Sequence, residues 1–227
     1  VDGRRQLITR QSAQSAQSAR TRPDAWTQAG ALAGLAGPAA FTAAWIAASL
    51  VQPGQPVFAV QISGLAAENA RCPWIMITGF LLLGAGAVAF GAALRPALGG
   101  WPESGLAPAV IQVAGAATIA AGLLRRDHLL LAGGPESWHN HAHDVTSAAA
   151  YVLLVAAPVL LAWRLRPDRR WRGLAVPLVM AAAVSAALLA WFYAQPHATW
   201  DGLLQRIAVS LPLAAIAAVS VRLLRQP

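Results

Sequence analysis

The chain has 227 residues, of which 57% are hydrophobic and only 11% charged; an ordinary soluble domain carries roughly 25% charged residues, so a soluble core is excluded and a polytopic membrane protein is indicated. The formal net charge is +8 and all 17 basic residues are arginine, but they flank apolar stretches instead of forming one patch, which argues against nucleic acid as a partner. A lone cysteine, Cys72, excludes an intrachain disulfide and leaves the redox compartment open.

Residues 1–28 are polar and basic and contain the repeat QSAQSAQSA from Gln11 to Ala19. Too little apolar surface is present to offset the entropy of ordering, so a disordered basic cytoplasmic tail is expected there, with an interfacial helix as the alternative. No cleavable signal peptide is evident, because the first apolar run begins near Ala29.

The remainder, residues 29–227, reads as an all-α transmembrane domain. Six apolar segments are predicted, at Ala29–Leu50, Trp74–Leu94, Ala107–Leu124, Thr146–Trp163, Gly173–Ala194 and Leu203–Leu224, each near the ~20 residues that cross a bilayer. Pro38, Pro158, Pro177 and Pro212 fall inside four of them and are expected to kink the helices. Gly30 and Gly34 form a GxxxG, a spacing that lets helix backbones approach closely but that also arises by chance in so Ala- and Gly-rich a chain. Between the first and second segments, Ser63 is placed to cap a short surface helix and Pro73 to open the second segment. Trp26, Trp74, Trp138, Trp163, Trp171, Trp191 and Trp200 fall near segment ends, as interfacial anchors would.

Arginine placement sets the expected orientation. With six crossings, the tail, Arg95, the Arg164–Arg172 stretch and the C-terminus share one side, which holds 13 of the 17 arginines. Both termini are therefore expected in the cytoplasm of a cell membrane, with membrane lipids as the partners the composition implies. All five histidines then lie on the extracytoplasmic side, His197 included.

The polar content concentrates between the third and fourth segments, in RRDHLLLAGGPESWHNHAHDVTS, from Arg125 to Ser147. His139 and His143 are spaced i,i+4. On a helix they would share a face and could grip one divalent metal, zinc or a related ion, with Asp127 or His128 as third ligand. Asn140 stands where an H-E-x-x-H motif has its glutamate. The alternative is a solvated loop whose histidines bond water and headgroups. A second stripe, Asn140, Asp144, Ser147 and Tyr151, falls on one helical face entering the membrane and needs partners there. Arg206, about one turn inside the sixth segment, is the expected counter-ion for Asp144 or Asp127. No G-x-S-x-G, P-loop, Rossmann glycine pattern or C-x-x-C is present.

Gly122-Leu123-Leu124-Arg125-Arg126-Asp127 followed by Trp138-His139 and His143-Asp144 resembles the G-L-x-R-x-D and W-H-x-x-x-H-D pattern of the bacterial and archaeal six-helix membrane family called domain of unknown function 998. The resemblance covers about residues 29–224. It implies fold and membrane localisation but no reaction. A looser resemblance, to membrane hydrolases related to alkaline ceramidase, implies zinc held by histidines. Two functions are accordingly expected to compete: a non-enzymatic sensor, transporter or partner subunit with an extracytoplasmic His/Asp pocket (Asp127, His128, Asn140, Asp144, Ser147, Arg206), and a metal-dependent membrane hydrolase acting on a lipid-like ester or amide.

Overall fold

A computed structural model describes residues 24–52, 54–98, 105–130, 135–171, 173–194 and 199–225. Most of the expected tail and His197 lie outside these residues. Six helices are long and apolar enough to cross a membrane: α1 (Ala25–Leu50), α2 (Pro73–Ala97), α3 (Leu106–Leu123), α4 (Trp138–Leu165), α5 (Ala175–Ala194) and α6 (Asp201–Leu224). Short 3-10 turns occupy Ser63–Ala66 and Arg169–Trp171, and no strand occurs among the described residues. Consecutive helices pack side by side and α6 returns against α1, closing a ring.

Local chemistry fixes the helix starts. The Asp24 carboxylate accepts from Thr27 N–H at 2.7 Å, so α1 opens four residues before the apolar run does. Pro73 stands in the first turn of α2, where its missing N–H leaves no bond unmade. Ser137 caps α4, its hydroxyl accepting from Asn140 N–H at 3.2 Å. That cap lifts the start of α4 eight residues above the predicted Thr146 and places His139, Asn140, His143 and Asp144 on the helix. Pro38, Pro158 and Pro212 are inside helices, as expected. Pro177 lies instead in the first turn of α5, where its missing N–H breaks no bond of the helix.

Without a hydrophobic drive between helices in lipid, close packing must hold the bundle, and glycine supplies it. A Cβ on Gly30 would overlap the Ala93 Cβ, and one on Gly34 would meet Ser220 Oγ and the Phe90 ring. The GxxxG of α1 therefore seats α1 on α2 within one chain. Six of the tryptophans read as anchors are exposed near helix ends, but Trp171 is only 3% exposed. It packs into the core against the other buried side chains, from the 3-10 turn that carries it.

Two connecting stretches close one end of the bundle, residues 54–72 after α1 and 124–130 after α3. Arg125 laces them, its Nε donating to Ala66 O at 3.2 Å and its Nη2 to Ala67 O at 3.1 Å. Glu68 N–H donates to Arg126 O and Leu129 N–H to Asn69 Oδ1. Glu68 and Asn69 thus join the segments to each other.

Candidate functional site

At that end the two segments and the tops of α4, α5 and α6 surround a cavity of about 210 Å³. α4 contributes His143, Asp144, Ser147 and Tyr151, which follow the helical repeat down one face. α5 adds Phe192 and Tyr193, and α6 adds Asp201 and Gln205. The segments supply Gln61, Ser63 and Arg126. A small apolar recess of about 30 Å³ adjoins it, sharing Ser147 and Tyr151 and lined further by Phe41, Phe80, Leu83 and Val209.

Arg126 is the least expected of these groups. It is 6% exposed, and one Nη donates to Gln61 Oε1 at 2.6 Å. Its Nε has no hydrogen-bond acceptor, and no carboxylate of the described residues forms an ion pair with it. A buried guanidinium left partly unpaired carries a large solvation cost. Gln205, also on the lining, is held at both ends of its amide: its Oε1 accepts from Ile62 N–H and its Nε2 donates to Tyr151 OH at 2.6 Å.

His143 is 1% exposed, and both of its ring nitrogens are engaged. Nδ1 faces two carbonyl oxygens at the end of α3, Ala121 O at 2.8 Å and Leu124 O at 2.7 Å. Carbonyls only accept, so Nδ1 carries the proton. In the neutral ring Nε2 is then an acceptor, and the group facing it at 3.1 Å is Ser147 Oγ.

His139 takes a different direction. Its Nδ1 lies 3.0 Å from Arg125 O, 2.9 Å from Ser137 Oγ and 3.5 Å from Asp127 Oδ1, with Glu68 at 3.9 Å from Nε2. Asp127 accepts from the Ser137 hydroxyl at 2.6 Å and from Ser137 N–H at 2.8 Å, and these bonds hold its carboxyl below the usual carboxylate range. Asn140 ties the parts together, accepting from Asp127 N–H at 3.1 Å and donating to Asp144 Oδ2 at 3.3 Å.

Of the residues read from the sequence, His143, Asp144 and Ser147 meet in the cavity, and Asn140 stands behind them. Asp127 and His139 meet each other, outside the cavity lining. His128 is exposed and does not line this cavity. The i,i+4 pair His139/His143 shares a helix face, yet its imidazoles turn to different partners. Among the described residues no three His, Cys, Asp or Glu side chains are arranged to hold a metal ion.

The expected pairing of Arg206 with Asp144 or Asp127 is not formed. Arg206 donates to Val60 O at 2.7 Å, Gly202 O at 2.8 Å and Ser49 Oγ at 3.1 Å, and its guanidinium stacks 5.1 Å from the Trp45 ring centroid. The rotation of α6 sends it towards α1 and the segment after it, while Asp144 faces the cavity. Reasoning from sequence also passed over Arg126, Gln61, Gln205, Tyr193 and Asp201 as cavity residues. The Arg125-Arg126 pair ending an apolar run reads as an interfacial anchor, and nothing local distinguishes the one that is buried.

Six membrane-length helices closed over a polar, arginine-bearing cavity at one end define a multi-pass integral membrane protein. A family model described as protein of unknown function (DUF998) matches residues 35–222, and the chain belongs to that family. The motifs at Gly122–Asp127 and Trp138–Asp144 lie inside the matched span. No curated protein and no solved structure matches the chain.

Proposed function

We propose that the protein captures a small anionic ligand in this cavity, in the manner of a membrane sensor, carrier or partner subunit. The observation that carries the reading is Arg126: a buried guanidinium on the wall of a cavity, in no ion pair among the described residues. A phosphate or carboxylate is the partner a planar guanidinium accepts best. Asp144, Tyr193 and Gln205 on the other walls offer acceptors and donors for hydroxyl or amine groups of the same ligand. The volume suits a headgroup-sized molecule.

Orientation belongs to the same proposal. The 13-to-4 arginine asymmetry supports cytoplasmic termini and an extracytoplasmic cavity in a cell membrane.

Titration calorimetry on the purified protein in nanodiscs tests the reading with two probes, glycerol phosphate for a free ligand and lysophosphatidate for a lipid one. Glycerol and monoacylglycerol are the neutral controls. Binding of either phosphate probe, with Arg126→Gln weakening it about 30-fold or more, is the expected result. Equal binding by Arg126→Gln and wild type, or equal binding of the neutral controls, overturns it.

A further inference from the structure

We propose that Ser147 and His143 form a nucleophile–base pair that cleaves a short-chain acyl ester of the anionic ligand bound in the cavity. The proposal rests on ligand capture as described above and adds a reaction to it.

Three observations meet at this pair. First, the two carbonyls of α3 fix the His143 proton on Nδ1, so Nε2 presents a lone pair to Ser147 Oγ at 3.1 Å. This is the arrangement in which a serine hydroxyl can be activated, with backbone carbonyls in the orienting role a carboxylate often fills. The neighbouring Thr146 shows the ordinary alternative, its hydroxyl bonding back to Ala142 O and His143 O within the helix. Ser147 turns to the imidazole instead. Second, both residues line the cavity that holds the Arg126 guanidinium, so a ligand held there by its anionic group shares that cavity with Ser147. Third, Ser147 stands on the boundary between the polar cavity and the apolar recess. At about 30 Å³ the recess holds roughly two water-sized groups. It therefore suits an acetyl- or propionyl-sized acyl group and excludes a long fatty chain.

The steps balance with ester and water alone. As Ser147 Oγ attacks the ester carbonyl carbon, the Oγ–C bond forms, the Oγ–H proton passes to His143 Nε2 and the carbonyl π pair moves onto oxygen. Collapse of that tetrahedral species breaks the C–O bond to the alcohol, whose oxygen takes the proton from Nε2. Water then attacks the acyl-Ser147 carbonyl and gives its proton to Nε2. The second collapse frees the carboxylic acid and returns the proton to Ser147 Oγ. The net reaction is ester plus water to acid plus alcohol.

The test uses full-length protein in nanodiscs. A fluorophosphonate probe, whose phosphorus is attacked by an activated serine with loss of fluoride, should label Ser147, as read by peptide mass spectrometry. p-Nitrophenyl acetate should be cleaved at least tenfold faster, in kcat/KM, than p-nitrophenyl laurate. His143→Gln, which can still donate to the α3 carbonyls and accept from Ser147, should slow labelling about 10²-fold or more for want of a base. Ser147→Ala should abolish both signals. Glycerol phosphate and lysophosphatidate binding is measured on the same wild-type preparation. Phosphate-probe binding without Ser147 labelling overturns the reaction and leaves the ligand reading standing. Loss of both overturns both. Labelling that persists at the wild-type rate in His143→Gln, or laurate cleaved as fast as acetate, also sinks the proposal. Because the adduct is read on wild type, misfolding of a variant cannot conceal the outcome.

Discussion

Arg206 offers the sharpest test of the architecture, because two accounts of it differ in whether its loss couples to Asp144. Were it the counter-ion of Asp144, removing Arg206 would strand a carboxylate, and Asp144→Asn would recover much of the loss. In the structure its donors go to Val60 O, Gly202 O and Ser49 Oγ. In Arg206→Met the Gly202 carbonyl remains in the α6 hydrogen-bond ladder, and the Ser49 hydroxyl keeps its bond to Trp45 O at 2.7 Å. Val60 O is the acceptor left without Arg206, at a cost of about 1–3 kcal/mol. Loss of the guanidinium over Trp45 adds about 0.5–2 kcal/mol, and relief from burying a charge with an unpaired Nε offsets part of the sum. A net loss of about 2–3 kcal/mol is expected for Arg206→Met. Unfolding in mixed micelles would measure Arg206→Met, Asp144→Asn and the double variant. The two changes should add within about 0.5 kcal/mol. A coupling above about 1 kcal/mol, or a neutral Arg206→Met, would refute the assignment of its partners.

The remaining predictions address the loop, the packing, the metal and the orientation. Asp127, whose carboxyl is held low by Ser137, contributes stability that is present above the unfolded-state carboxylate pKa and is lost as pH falls through the lower folded-state value. Asp127→Asn should therefore reduce the melting temperature at neutral pH and narrow its gap from wild type below about pH 4; a constant gap across that window would contradict the cause given. Gly64→Ala should destabilise by about 2 kcal/mol or more, because the added methyl collides with the Leu129 carbonyl that closes the cavity end, and an unchanged midpoint would show that the segments are not packed as described. Elemental analysis of untagged protein after zinc incubation should find less than stoichiometric metal, since His143 spends both ring nitrogens within the bundle; one zinc per chain lost in both His139→Ala and His143→Ala would restore the hydrolase with a metal. In a Cys72→Ser background, an impermeant thiol reagent should label Glu136→Cys and spare Arg169→Cys on intact cells, and the reverse pattern would invert the orientation.

Much of the frame is legible in the residues alone, because the signals that define it are local. A membrane span needs only a run of apolar side chains long enough to cross, so six segments are readable from hydropathy, and their centres coincide with α1 to α6. The Pro73 start follows from one residue's missing N–H. The shared face of Asp144, Ser147 and Tyr151 follows from the 3.6-residue period, and those three side chains line one cavity. The start of α4 was harder, since the Ser137 cap precedes a polar stretch that hydropathy excludes from the span.

What surrounds that face was decided by tertiary structure. Whether Arg125 or Arg126 turns inward depends on how the chain leaves α3 and crosses residues 61–69, which no periodicity encodes. The partners of Arg206 depend on the rotation of α6 against α1, set by packing along the whole helix and not by charge near residue 206. The proton of His143 is placed by carbonyls 19 and 22 residues earlier in the chain, freed because α3 ends beside α4. Sequence supplies the donors and acceptors of this site, but the register between helices selects which of them meet, because a buried polar group must be satisfied by whatever the packed neighbours present.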